Sequence, residues 1–335
     1  MDKELKILYL NATETVDQNP GCKATSYNLQ KNLKGSIVFK LPLGFGYYNF
    51  KLKKKIFEND KSYFFRINRK IINNKDYIYL FKLVDVVVIN AEGTIHSDSI
   101  GAKTLLSFTN LALLLNKRIY IVNGSFYDLS NYLLEILEKA TKIYVRELES
   151  QNYLLKNKIK SNLIFDCAFL IKNKNSFKEN KIKKCLYTPG TLLYYKKNNK
   201  NKEILIRHYN NIKSSGFEPV FAISETVENE FSKFWNSLGG KSVDLTKKNI
   251  EDNLKLIDQF DLLISGRYHI LLFGIIQKIP LIPIKSNTPK IIGLFKNFDV
   301  DISNILYDIE DELEVSKSIK LDIDNKKIAL DIKTA

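Results

Sequence analysis

Apolar positions along this chain come in two patterns that take turns. Short unbroken apolar runs, such as KILYLNA at 6 to 12 and VDVVVIN at 84 to 90, read as strands covered on both faces. Between them, apolar residues recur every three or four positions, the spacing of a helix packed on one side. In the first half this predicts strands at KILYLNA, SIVFKLPLG, VDVVVIN, RIYIVNG, KIYVRE and NLIFDCAFLI. Helices are predicted at KATSYNLQKNLKG, over about 99 to 117, at LSNYLLEILEKA and from Ser150. Residues 46 to 78 are Tyr- and Lys-rich, with KLKKK at 51 to 55. They show no clear period, and either a helix or an active-site loop fits them.

Two stretches, 171 to 183 and 196 to 202, carry almost no apolar content and read as the crossover between domains. The rhythm then resumes, with a strand at 184 to 188, a helix over about 202 to 215 and a strand at EPVFAIS. The helix TVENEFSKFWNSLG, the strand KSVDLT and the helix IEDNLKLIDQF follow. DLLISG, RYHILLFGIIQ, IPLIPIK and KIIGLFKNF are a strand, a helix, a strand and a short helix. Such alternation implies parallel sheets joined by right-handed crossovers. The expected fold class is α/β, with two Rossmann-like domains facing across a cleft: residues 1 to 180, then 181 to 300. The segment 301 to 335 is a tail packing back on the fold.

In open parallel sheets, ligands sit outside the carboxyl ends of the strands, so the residues just after each predicted strand form a site map. After VDVVVIN come Glu92, Gly93, Thr94 and His96. Gly93 allows a sharp turn, the loop amides and the Thr94 hydroxyl can hold an anion, and Glu92 or His96 can move a proton. For His96 an ordinary surface-loop histidine fits as well. After KIYV comes Arg146, a two-pronged donor suited to a carboxylate or phosphate, or to a salt bridge with a nearby Glu. Ser150 reads as a helix cap. Asp166, after NLIF, faces the cleft or caps the next segment.

After DLLIS come Gly266, Arg267, Tyr268 and His269, and then a helix apolar nearly all round. A helix of that kind is buried, so its first turn points toward the cleft region. Free N–H groups and the helix dipole favour an anion there. Arg267 adds donors, and His269 can exchange a proton with a bound substrate. A satisfied core histidine is the alternative. His208 falls on a predicted surface helix. Lys290 opens a helix after IPLIPIK, although lysine is common throughout this chain.

Composition narrows the classes. The net charge of +15 is scattered, without a basic helix, an RNP pattern or finger spacing, so nucleic-acid binding is not expected. Solvated Lys and Asn faces explain the charge more simply than an anionic partner does, although lipid head groups or phosphorylated substrates fit it too. Three cysteines without a CxxC pair argue against a disulfide framework and a zinc ribbon, and fit a reducing cytoplasm. No apolar run reaches the ~18 residues of a membrane span. The N-terminus reads as a first strand and not as a signal peptide. GxGxxG, P-loop, HExxH and GxSxG motifs are missing, as are clustered metal ligands.

These pieces, in this order, resemble the polysaccharide pyruvyl transferase family. SGRYHILLFGIIQKIPLIPIKSNTPKIIGLF is similar to that family's strand, Arg-x-His, buried helix, second strand and Pro-Lys dipeptide, with Lys290 on its lysine. YVRELES resembles its Val-Arg-Asp-x-x-Ser element, with Glu147 in the Asp place. FDCAFLI resembles its Asp-Pro-x-Phe element, with Cys167 replacing Pro. NAEGTIHSDS resembles its Gly-rich loop, and NPGCKATSYNL stands where the family has its first Gly-containing loop and helix.

The resemblance implies a GT-B-like fold and transfer of a pyruvyl group from phosphoenolpyruvate to a sugar of a surface polysaccharide, as a ketal. It implies that Arg146, Arg267, His269 and Lys290 matter most. The carboxylate and phosphate of such a donor suit two arginines and a lysine. His269 is then the general acid/base and Glu92 a second base, with Gly93, Thr94 and Gly266 on the donor side. His96, Asp166 and Ser150 stand toward the acceptor or behind the reacting groups. No metal or cofactor is obligatory in this scheme. The partners are phosphoenolpyruvate and a sugar or lipid-linked glycan, in the cytoplasm or peripherally at the inner membrane face. Two other readings compete: a GT-B-like glycosyltransferase using a nucleotide sugar, for example a CMP-ulosonic acid, and a non-catalytic protein of a surface-glycan pathway.

Overall fold

The structure, a computed structural model, describes residues 4–15, 19–42, 61–171, 182–195 and 200–334. The KLKKK run at 51 to 55 and most of the two polar stretches assigned to the crossover lie outside the described residues. The chain forms two compact units. One comprises Met1–Asp17, Thr25–Cys167 and Asp331–Ala335, the other Gln18–Ala24 and Ala168–Leu330.

The first unit is built on a parallel sheet of β1 (Lys6–Leu10), β2 (Ser36–Leu41), β3 (Val86–Asn90), β4 (Arg118–Gly124), β5 (Lys142–Val145) and β6 (Asn162–Leu163). Its spatial order is β2-β1-β3-β4-β5-β6. The helices up to β6 are α1 (Pro20–Asn32), α2 (Lys61–Ile72), α3 (Lys75–Lys82), α4 (Ile100–Leu114), α5 (Asn131–Leu137) and α6 (Leu148–Lys156). Every residue of β3 is buried, which accounts for its unbroken apolar run. The strand order reverses between β1 and β3, the position at which a doubly wound sheet offers its binding crevice.

Part of the stretch 46 to 78 that shows no period in sequence is helical. α2 buries Tyr63, Phe64, Ile67 and Ile71, and α3 buries Tyr77 and Phe81. Both α3 rings meet Phe108 of α4, with centroids 5.0 and 6.1 Å apart. The strand read over NLIFDCAFLI is shorter than expected. Only Asn162–Leu163 pairs, as the edge strand, and Cys167–Leu170 forms a 3-10 turn.

The second unit carries β7 (Lys184–Thr188), β8 (Glu218–Ile223), β9 (Lys241–Asp244), β10 (Leu262–Ser265) and β11 (Leu281–Pro283), parallel and in the order β11-β10-β7-β8-β9. Its helices are α7 (Leu192–Tyr195), α8 (Asn201–Ser214), α9 (Asn229–Ser237), α10 (Ile250–Ile257), α11 (Tyr268–Gln277) and α12 (Lys290–Lys296); α13 (Asn325–Thr334) closes the chain. Here the order reverses between β7 and β10. The segment after α12 runs back along the edge strand, where Tyr307 bridges Ile284 and Ile319 bridges Leu281.

His208 is not on a surface. It is fully buried on α8, and its Nε2 lies 3.1 Å from the Asp311 carbonyl while its Nδ1 lies 2.7 Å from the Tyr187 hydroxyl. A carbonyl only accepts, so Nε2 carries the proton and Nδ1 accepts from Tyr187. Burial, reinforced by the Arg207 charge and opposed by the Asp311 carbonyl, lowers the ring's pKa to about 4. Tyr187 stacks on Trp235 at 4.7 Å, so this histidine is a polar bolt in an aromatic core.

Candidate functional site

Each unit gathers polar side chains at the carboxyl ends of its strands. In the first unit a hydrogen-bonded chain runs along the sheet end from β1 to β6. Thr13 donates to Glu92 Oε1 at 2.7 Å and Asn90 Nδ2 to the same oxygen at 2.6 Å. Asn11 Nδ2 donates to the Asn90 carbonyl at 2.7 Å. The Glu92 carbonyl in turn receives the Ser125 N–H, and Ser125 Oγ accepts from Arg146 Nε at 2.9 Å. Arg146 Nη1 donates to Asp166 at 2.9 Å, with both side chains buried. Asp166 also accepts from Thr25 at 3.0 Å.

Four expectations change here. The salt-bridge partner of Arg146 is Asp166 and not a glutamate. The left-handed residues of the β3 loop are Glu92, with φ at 43°, and Ser97 and Asp98, each at 46°, and not Gly93; Asn11 at the end of β1 is left-handed too, with φ at 62°. Gly93 and Thr94 are half-buried, and Thr94 spends its N–H and carbonyl on the turn that leads to the α4 cap Ser99. Finally, Ser150 is not the cap of α6. The cap is Glu147, whose carboxylate accepts the Ser150 N–H at 3.0 Å and the Ser150 hydroxyl. Burial raises the Glu147 pKa against those bonds and the Arg146 charge. A buried carboxylate is costly unless donors surround it, and the open end of a helix supplies them. His96 is half-buried in the same loop and bridges Tyr127.

In the second unit the loops after four strands interlock. Gly190, after β7, and Gly266, after β10, touch through their backbones. A Cβ on Gly190 would stand 2.5 Å from the Gly266 carbonyl oxygen, and one on Gly266 2.5 Å from the Pro189 carbonyl oxygen. Only paired glycines allow that approach at the switch point. Thr191 Oγ1, after β7, lies 3.4 Å from Asn287 Oδ1, after β11.

Arg267 follows Gly266 as the N-cap of α11. Its side chain turns across the end of β7 to two carboxylates that follow β8. Nε and Nη2 donate to Glu228 Oε1 at 3.0 and 2.8 Å, and Nη1 and Nη2 donate to Glu225 Oε1 and Oε2 at 2.7 and 3.0 Å. The guanidinium is therefore engaged on two sides by carboxylates. His269 stands in the first turn of α11, half-buried. Its ring lies against Gly21, where a Cβ would come within 2.1 Å of it. The segment around Gly21 belongs to this unit: Asn19 Nδ2 donates to Glu225 at 3.1 Å and Lys23 Nζ to the Thr246 carbonyl at 3.0 Å. Lys290 is the first residue of α12, half-buried. Among the described residues, no group of three or more His, Cys, Asp or Glu side chains is placed to hold a metal ion.

Sequence reasoning overlooked Glu225 and Glu228, and it placed Asn19 and Gly21 in a Gly-containing loop without giving either a role. The two glutamates directly follow a predicted strand, so the strand-end rule flags them. The helical period of TVENEF drew the reading past them.

The sequence profile of polysaccharide pyruvyl transferases matches residues 19–288. The chain belongs to that family. The matched span runs from Asn19 through Glu92, Arg146 and Glu225 to His269; it leaves out Asn11 and Thr13 of the first network and stops two residues short of Lys290. By family the chain is a transferase whose substrate class is polysaccharide. No curated protein matches it significantly.

Among solved structures, S. aureus MnaA in complex with UDP superposes with a TM-score of 0.53 at 11% identity, covering 84% of this chain and 78% of that one. A glycosyltransferase from Rickettsia africae ESF-5 superposes with a TM-score of 0.51 at 12% identity, covering 99% and 92%. At such identities the likeness concerns the fold alone: two parallel α/β sheets, as the alternation of strands and helices predicts, of the GT-B-like class that the family resemblance implies. Among the described residues, no helix is long and apolar enough to cross a membrane.

Proposed function

We propose that this transferase moves a pyruvyl group from phosphoenolpyruvate onto two hydroxyls of a surface-polysaccharide sugar or its precursor, forming a ketal. The observation that carries the reading is the turn Gly266–His269: an arginine and a histidine at the open end of a buried helix, where the strand order of the second unit reverses. Phosphoenolpyruvate presents a carboxylate and a phosphate. Arg267, Lys290 and the positive end of the α11 dipole suit those groups.

The proton balance is closed. One sugar hydroxyl adds to C2 of the donor and loses its proton, while the methylene carbon gains one and becomes the ketal methyl. The second hydroxyl then displaces phosphate, which leaves with that hydroxyl's proton. His269 is the proposed general acid/base, because its ring is half-buried and its place is set by Gly21. Glu92 is the proposed second base, and Glu92→Gln tests that role. We assign Arg146 to shaping the first unit's strand ends, since Asp166 and Ser125 engage it.

A nucleotide-sugar glycosyltransferase is the second reading, supported by the likeness to the UDP complex of MnaA and to the Rickettsia enzyme. Such a donor also offers phosphate, and in a CMP-ulosonic acid a carboxylate, to Arg267 and Lys290. We place the reaction in the cytoplasm or peripherally at the inner membrane face, where a net charge of +15 suits anionic lipid surfaces. Thermal shift separates the donors. Stabilisation by phosphoenolpyruvate supports the pyruvyl reading; stabilisation by UDP-, GDP- or CMP-sugars with none by phosphoenolpyruvate overturns it.

A further inference from the structure

We propose that Glu225 is a resident substitute for the donor: its carboxylate holds the face of Arg267 that the donor's anionic group takes during turnover. The proposal rests on the reading of Arg267 as a donor-binding group.

Two glutamates share Arg267, and they are held in opposite ways. Glu228 is fully buried. Its Oε2 accepts the Ser224 N–H, the Ser224 hydroxyl at 2.9 Å and the Glu225 N–H at 2.9 Å, and its Oε1 accepts Arg267 Nε and Nη2. The Thr188 hydroxyl lies 3.4 Å from the same Oε1. Removing Glu228 from the guanidinium would break that whole set inside the protein. Its role is to fix the orientation of Arg267.

Glu225 is different. Its side chain is 37% exposed, against 9% for Arg267. Its two oxygens face Nη1 and Nη2 at 2.7 and 3.0 Å, the two-pronged geometry by which arginine grips a free carboxylate or phosphate. Besides Arg267, it accepts from Asn19 Nδ2, on the segment that also carries Gly21 under the His269 ring, and it forms a capping box with Glu228 across the turn between them. Glu225 sits just before the short 3-10 turn Thr226–Glu228 with an extended backbone, φ −145° and ψ 152°. The carboxylate is exposed enough to turn toward solvent, and in doing so it gives up its capping bond to the turn as well as Arg267.

An incoming anion that grips Nη1 and Nη2 together replaces Glu225. The exchange trades one charge-assisted pair for another, so it is nearly balanced, and the protein never leaves the guanidinium bare. It also means that Glu225 competes with the donor. The apparent affinity is lowered by the fraction of molecules in which Glu225 occupies the fork. Freed from Arg267, Glu225 also releases Asn19, which couples donor entry to the segment beneath His269.

The test is calorimetric titration of phosphoenolpyruvate into the full chain, as wild type, Glu225→Gln, Glu225→Ala and Glu228→Gln, with Trp235 emission and thermal midpoint as folding checks. The two Glu225 variants are expected to bind phosphoenolpyruvate about tenfold more tightly, the effect of weakening one charge-assisted competitor, and to lower its KM. Glu228→Gln is expected to bind it more weakly. Unchanged or weaker binding in whichever Glu225 variant folds, with wild-type binding intact, overturns the proposal. So does a fall in kcat with the dissociation constant unmoved, which would make Glu225 a reacting group. If wild type binds a nucleotide sugar and not phosphoenolpyruvate, the donor reading fails on its own. The same variants titrated with that sugar then decide Glu225: tighter binding sustains the proposal, unchanged binding overturns it.

Discussion

Lowering the pH from 7.5 to 5 should destabilise the second unit through one residue, His208. Its folded pKa of about 4 lies below the unfolded value of 6.5, so the native state holds the neutral ring and the unfolded chain takes up the proton. The contribution to stability is complete above pH 6.5, is lost as pH falls toward 4, and is flat beyond. At about 1.4 kcal/mol per pH unit, the full loss is roughly 3 kcal/mol, and about 2 kcal/mol is gone at pH 5. The geometry explains the size: protonation puts a hydrogen on Nδ1, where Tyr187 now donates, inside a core closed by Trp235 and the Asp311 carbonyl. The chain's single tryptophan, Trp235, is fully buried against Tyr187, the hydrogen-bond partner of this ring, so its emission reports the unit concerned. Urea unfolding followed at Trp235, at pH 7.5 and 5, should show the loss in wild type. It should largely vanish in His208→Gln, which keeps a donor and an acceptor but does not titrate. An equal pH dependence in both proteins would refute the reasoning.

Two further predictions concern the strand-end networks. Asp166→Asn leaves the buried Arg146 charge without its partner and should cost about 3 kcal/mol, the lower end for a broken buried pair because Asn keeps one acceptor; chemical unfolding monitored by far-ultraviolet circular dichroism reads it. Gly21→Ala forces a Cβ into the His269 ring and should lower kcat with phosphoenolpyruvate by about a hundredfold or more, as a displaced acid/base does, while the thermal midpoint stays within a few degrees.

Much of the architecture was legible because a strand covered on both faces leaves an unbroken apolar run. RIYIVNG coincides with β4 residue for residue, and the run at 184 to 188 coincides with β7. The same logic located Arg267, His269, Arg146 and Glu92, since each follows such a run. Their partners were harder to see. Arg267 meets Glu225 and Glu228 only because the sheet order sets β10 and β8 on either side of β7, and spacing along the chain carries no trace of that order. Arg146 and Asp166 are likewise joined by adjacent strand ends, β5 and β6. His208 reads as a surface residue until the segment after α12 folds over it, bringing a carbonyl from 103 positions away. Ser150 looked like a cap because serine is a strong one, yet the buried Glu147 had the greater need of the helix's free N–H groups.

The central claim is that the Gly266–His269 turn of the second unit binds phosphoenolpyruvate and turns it over. Phosphate release from phosphoenolpyruvate in the presence of glycan acceptors, measured for wild type and His269→Asn, tests it most directly. The account predicts acceptor-dependent release by wild type and a loss of about a hundredfold or more in the variant. Full activity in His269→Asn, or no release by wild type with any acceptor while a nucleotide sugar is consumed, would contradict it.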